Sequence, residues 1–129
     1  MPGCPSPAHY ANMRAHDEMA GAGDWPEHID GNHRAKAAEV LRQLADPTRL
    51  HLLWLLADGP LDVSSLASRV DASRSSVSQH LGKLRLTGLV KADRDGRHVH
   101  YRLTNDHVRL LVAESYRIVD HLREMPHQR

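Results

Sequence analysis

His107 and His121 stand fourteen residues apart near the end of the chain, each directly preceded by an aspartate, Asp106 and Asp120, and His127 follows shortly after. Imidazole and carboxylate together are donors for divalent transition metals. The segment 104–129 reads as one helix, and fourteen helical residues rise roughly 21 Å, so the two rings cannot grip one ion from a single chain. Either they are ordinary surface histidines, or a second copy of the chain brings its own helix alongside. Histidine is also over-represented as a whole, with 11 in 129 residues.

Composition bounds what these residues belong to. A chain of 129 residues holds one domain and some tail, with a core that must be aliphatic because there is no Phe. No apolar run approaches the roughly 18 residues of a membrane span, and the first residues lack a basic-then-apolar leader pattern. The lone Cys4 excludes an intrachain disulfide and a Cys-based zinc finger. The expectation is a cytoplasmic protein. The net charge of +1 hides a segregation: residues 1–31 sum to −4, whereas residues 69–102 carry eight Lys/Arg against three Asp.

Periodicity places the elements. Residues 1–31, acidic and rich in Pro, Gly and Ala, read as a flexible N-terminal tail. A helix begins near His33, with Ala37, Val40, Leu41 and Leu44 at three- and four-residue steps. Asp46 as N-cap and Pro47 in the first position start a second helix, whose inward stripe is read as Leu50, Leu53, Trp54 and Leu56. Two short helices follow, 61–70 capped by Asp62 and 73–88 capped by Ser73, joined by the turn Asp71-Ala72-Ser73. Val63, Leu66, Val70, Val77, Leu81 and Leu84 face inward. Beyond Gly88 the period changes to two around Asp95-Gly96, a hairpin with Val99, Tyr101 and Leu103 on one face and His98, His100 and Arg102 on the other. The last helix runs from near Asn105 to about Arg123. The fold class is therefore mainly α with a small β-hairpin, a winged helix-turn-helix, over 32–124, with a short C-terminal tail at 125–129.

This arrangement suits double-stranded DNA. The 73–87 helix exposes Ser73, Arg74, Ser75, Ser76, Ser78, Gln79, His80 and Lys83, which are hydroxyls, an amide and cations fit for phosphate oxygens and major-groove base edges. Gln79 suits a bidentate contact to adenine, and Ser73 with the helix N-terminus suits a phosphate. Arg94, Arg97 and His98 at the wing tip suit phosphate or minor-groove contact. Ser is a mediocre helix former, so four Ser in six positions are not there for helix stability. His51 is read as structural and His100 as a second wing contact.

The segments "LADPTRLHLLWLL", "SSVSQHLGKLRLTGLV" and "DGRHVHYRL" resemble the ArsR/SmtB family of winged-helix metalloregulatory repressors, over about Ala35 to Leu122. The resemblance implies a homodimer on a palindromic operator, a recognition helix at 74–86 and a wing at 91–102. It implies two places for a metal. The thiolate site on the first helix of the pair, Cys-Val-Cys in the family, meets "LDVSSLA" here, so arsenic, cadmium and lead sensing by thiolates is not expected. The other lies between paired last helices.

A geometric check fits the second place. His107, Leu111, Glu114, Ile118, His121 and Met125 form one heptad stripe; Val108, Val112, Ser115, Val119 and Leu122 form the adjacent one. An antiparallel pair with its two-fold axis near Glu114 sets His107 opposite His121 of the partner subunit, twice by symmetry. The expected ligands are His107, His121, Asp106 and Asp120, with His127 as a further candidate. The pattern departs from the family's zinc sensors at Asn105 and Ile118, where ligands would stand. Asp120-His121 is instead similar to the Glu-His pair of actinobacterial nickel/cobalt sensors, which recruit donors from chain ends; the resemblance makes His9, His16, His28, His33 and His127 candidates for that role here. Nickel or cobalt is expected over zinc. The alternative is a winged-helix repressor controlled by a partner protein or a non-metal signal. An enzyme is not expected, since His-Glu-x-x-His, nucleophile-elbow and phosphate-loop motifs are all missing.

Overall fold

A computed structural model describes Pro26 and residues 28–125; the expected ligands His9, His16 and His127, most of the 1–31 tail and most of the 125–129 tail lie outside the described residues. Among the described residues five helices and three strands follow one another: α1 (Gly31–Leu44), α2 (Pro47–Leu56), β1 (Leu61–Asp62), α3 (Val63–Val70), α4 (Arg74–Leu86), β2 (Val90–Asp95), β3 (His98–Leu103) and α5 (Asp106–Glu124). The core lies in the compact unit Ala35–Arg129. In the N-terminal unit, Met1–Arg34, the described chain enters α1 with the Asp30 carboxylate accepting from the His33 amide at 2.7 Å. Among the described residues no helix is long and apolar enough to cross a membrane.

Each helix begins where a side chain can satisfy amides that the helix itself leaves free. Asp46 Oδ2 accepts from the Arg49 amide at 2.9 Å, Asp62 Oδ1 from Ser65 at 2.8 Å, Ser73 Oγ from Ser76 at 3.0 Å and Asn105 Oδ1 from Val108 at 3.1 Å. The end of α4 is a Schellman motif: the Gly88 amide reaches the Arg85 carbonyl at 2.9 Å and the Leu89 amide reaches Leu84 at 2.9 Å. That reversal needs the left-handed backbone of Gly88, at φ +82°.

The core is aliphatic. Leu52, Leu53, Leu66, Val77, Leu81, Leu84 and Val112 are fully enclosed, and Leu44, Leu56, Leu89, Val90 and Val108 nearly so. Trp54, expected inside, is 48 % exposed. The buried stripe of α2 is centred on Leu52, Leu53 and Leu56, which turns Trp54 to the rim. There its ring meets Tyr116 of α5 edge-on, with centroids 4.9 Å apart.

The sheet has order β1-β3-β2 and is antiparallel throughout. The two-residue strand β1 went unforeseen within the 61–70 helix; Leu61 pairs with Tyr101 and Asp62 with His100. The hairpin loop is Gly96-Arg97 rather than Asp95-Gly96, because Asp95 still pairs with His98. Gly96 carries the required positive φ, +64°. A knot of hydrogen bonds joins the wing to the next helix: Thr104 Oγ1 donates to the Gly88 carbonyl at 2.8 Å and to Leu89 at 3.3 Å, and the Thr104 amide donates to Leu89 at 3.2 Å.

The caps make stability acid-sensitive. Asp46 is held below the ordinary carboxylate range, first by the Arg49 amide and also by the charges of Arg49 and His80; Asp62 is lowered chiefly by hydrogen bonds from Ser65. A depressed carboxyl binds fewer protons folded than unfolded. Its contribution is therefore present above the usual carboxylate pKa and is lost as pH falls through the lowered folded value. Thermal melts between pH 7 and pH 3 are expected to show Tm falling below about pH 4. Asp46→Asn is expected to reduce that fall while keeping the cap, and Asp46→Ala to cost about 1 kcal/mol at neutral pH.

Candidate nucleic-acid interface and metal-ligand positions

The enclosure of Val77, Leu81 and Leu84 fixes the rotation of α4 about its own axis. With that face held inward, Arg74, Ser75, Ser78, Gln79 and Lys83 are exposed, and Ser73 is exposed at the cap. Ser76 is half-buried beside the cap its amide completes. His80 stands apart from this row. Its side chain is only 22 % exposed, and its Nδ1 lies 3.9 Å from Asp46 Oδ2 and 3.5 Å from an Arg49 guanidinium nitrogen. Sequence reading took Asp46 for a cap and gave Arg49 no role. The contact spans 31 positions of chain from Arg49 to His80, and no local spacing announces it.

The wing has two chemically different faces. Val90 pairs with Leu103 and Ala92 with Tyr101 on the face that meets the core. On the other, Asp93 pairs with His100, Asp95 with His98 and Lys91 with Arg102, while Asp62 of β1 flanks His100 from the far side. Arg102 Nε donates to Asp93 Oδ2 at 2.6 Å, which holds the Asp93 carboxyl below its usual range. His98 and His100 have ring centroids 6.4 Å apart, and both charges help lower Asp62. Acids thus offset the cations along this face. The exposed Arg94 and Arg97 at the tip remain outside the ion pairs found among the described residues.

Along α5 the two stripes separate only in the first half. Val108 and Val112 are buried and Ser115 half-buried, its hydroxyl donating to the Val112 carbonyl at 2.7 Å. From there the helix leaves its own domain: Ile118, Val119, Leu122 and Met125 are 57, 45, 60 and 37 % exposed. His107, His121, Asp106 and Asp120 are all exposed. One chain does not bring them together: among the described residues no three His, Cys, Asp or Glu side chains converge to hold a metal. Asn105, at the place of a family ligand, uses its side-chain oxygen as the α5 cap. Glu114 accepts from Arg117 at 2.7 Å, so a copy of Glu114 brought near it meets a paired charge.

The chain is similar to known proteins in sequence and fold. The sequence model described as "Bacterial regulatory protein, arsR family" matches residues 46–92. The HTH-type transcriptional regulator KmtR of Mycobacterium tuberculosis is 44 % identical over 96 residues, 74 % of either chain. The transcriptional repressor SmtB homolog of Synechocystis is 41 % identical over 99 residues, covering 77 % of this chain and 73 % of that one. Among solved structures, the homodimeric winged helix-turn-helix DNA-binding domain of Mb0332 from Mycobacterium bovis superposes with a TM-score of 0.68 at 30 % identity. It covers 81 % of this chain and all of that one.

Proposed function

The chain belongs to the ArsR family of bacterial regulatory proteins and is a winged helix-turn-helix transcriptional regulator rather than an enzyme; from that premise we propose that it is a cytoplasmic homodimeric repressor whose operator affinity is set by nickel or cobalt, with zinc as the weaker candidate. The observation that carries this reading is the division of α5. One face of its first half, with Val108 and Val112, is buried on its own domain, while its second half presents Ile118, Val119 and Leu122, and the cap Met125, to solvent beside His121. An exposed apolar helix face of this kind calls for a partner. A second α5 running antiparallel covers it and brings His107 to His121 of the partner subunit.

Each of the two equivalent sites then combines one imidazole from either chain with Asp106 or Asp120 and, where the tail reaches, His127. Such a set offers nitrogen and oxygen donors without thiolate, which suits nickel, cobalt or zinc. When bound, the ion supplies a crosslink between the two α5 helices. It changes DNA affinity only by the difference in its own affinity for the two arrangements of the dimer. On the DNA side, Ser73, Arg74, Ser75, Ser76, Ser78, Gln79 and Lys83 occupy the major groove and its flanking phosphates, and Arg94, Arg97 and His98 hold the backbone beside it. Control by a partner protein or a non-metal signal is the competing reading, and it predicts no divalent-metal binding by the purified dimer.

Two experiments test these assignments. Using a duplex selected by the full-length protein from a random pool, Arg97→Ala is expected to weaken binding to all sequences and to reduce the slope of log affinity against log salt by about 1.8, about 0.9 for each of the two copies in the dimer. Gln79→Ala is expected to erase preference at one base pair, a loss of about 1–3 kcal/mol of discrimination. For the metal site, His107→Ala and His121→Ala homodimers should each lose nickel and cobalt binding in calorimetry. Mixing the two unfolded variants and refolding them together should restore one site in every heterodimer, because one chain retains His121 and the other His107. Failure of the mixture to regain metal, or undiminished affinity in the double variant, would remove the site.

A further inference from the structure

His80 lies on the helix that faces DNA, yet its ring is turned away from the exposed row and toward the junction between α1 and α2. Arg49 binds three partners there. Its amide donates to Asp46 Oδ2 at 2.9 Å, its Nε to the Gln43 carbonyl at 2.8 Å, and a terminal nitrogen approaches His80 Nδ1 at 3.5 Å. The first closes the start of α2, the second caps the end of α1, and the third reaches the middle of α4. A guanidinium can only donate, so in the neutral ring the imidazole nitrogen facing it offers the lone pair and the ring proton sits on Nε2. Asp46, 3.9 Å from the same Nδ1, is 31 % exposed, and little of the His80 ring is left for an outside ligand.

We propose that His80 is a positioning residue: through Nδ1 it docks the recognition helix onto Arg49, whose amide the Asp46 carboxylate holds, and it sets the tilt of that helix without touching DNA. The proposal rests on the DNA-reading role of α4 and departs from the expectation that His80 is itself a contact. It makes Arg49 and Asp46 determinants of operator affinity although neither is part of the exposed row on α4.

Two amide replacements separate the alternatives, because Asn carries its oxygen near the place of Nδ1 and Gln carries it near the place of Nε2. With the duplex selected by the full-length protein, His80→Ala and His80→Gln are each expected to bind about tenfold more weakly. His80→Asn should keep most of the affinity, and the salt slope should be unchanged in all three, since no phosphate contact is lost. Helix propensity predicts the opposite ranking, Gln being the better helix former, so a gain for Asn over Gln reports the Nδ1 contact and not helix stability. Arg49→Lys should lose a comparable factor alone and little more when added to His80→Ala. Retention of affinity by Gln with loss by Asn, a slope reduced by about 1.8 (one contact per subunit), or wild-type binding in His80→Ala overturns the proposal. Should Asn and Gln both bind weakly, the Arg49 cycle decides, and additive losses overturn it. A wild-type chain that selects no duplex at all removes the DNA-reading role, and the proposal with it.

Discussion

The helix proposed to face DNA, α4, owes its orientation to three side chains that face the other way. Val77, Leu81 and Leu84 are sealed among Leu52, Leu53, Leu56 and Leu66. Rotating α4 by one residue would drag one of them into water and drive Ser78 or Gln79 into an aliphatic core with nothing to hydrogen-bond. The choice of polar residues on the outer face is thus made by the apolar residues on the inner one. Because the chain has no Phe, this core is built from branched aliphatic side chains of similar size. Close packing leaves such a core little room to accommodate a shifted helix.

The second constraint is the shortage of core along α5. The first turns of that helix find cover on α2 and β3, and beyond them Ile118, Val119 and Leu122 stand exposed among polar neighbours. A monomer would hold Ile118, Val119 and Leu122 in water, an unfavourable state that burial against a second helix reverses. Trp54 belongs to the same boundary: it packs on Tyr116 where α5 begins to leave the domain, half in and half out.

Local chemistry was legible from the residues themselves. Asp46, Asp62, Ser73 and Asn105 announce helix starts because a cap needs only the next three residues, and all four act as caps. The change from a helical period to a period of two after Gly88 gave the hairpin and the correct assignment of its faces. What was not legible depends on distant parts of the chain. Leu61-Asp62 is a strand only because β3 passes alongside, and nothing in "LDVSS" marks that encounter. Trp54 was misplaced because a stripe read from the amphipathic pattern has an uncertainty of about one residue, 100° around the helix. The turn toward Asp46 and Arg49 sets His80 apart from the other polar residues of α4, and it came from tertiary contact alone. The expected metal ligands are the extreme case, since the site proposed for them draws on two chains.

The bonds at Thr104 have a mechanical result. The side chain and amide of one residue hold the Gly88 and Leu89 carbonyls at the turn that ends α4, and the very next residue is the cap of α5. Two helices distant in their business therefore share a single hinge pin. Any tug on the opening turn of α5 must either snap those bonds or carry the foot of the reading helix along, and the shorter the pin, the less of that movement is lost as slack.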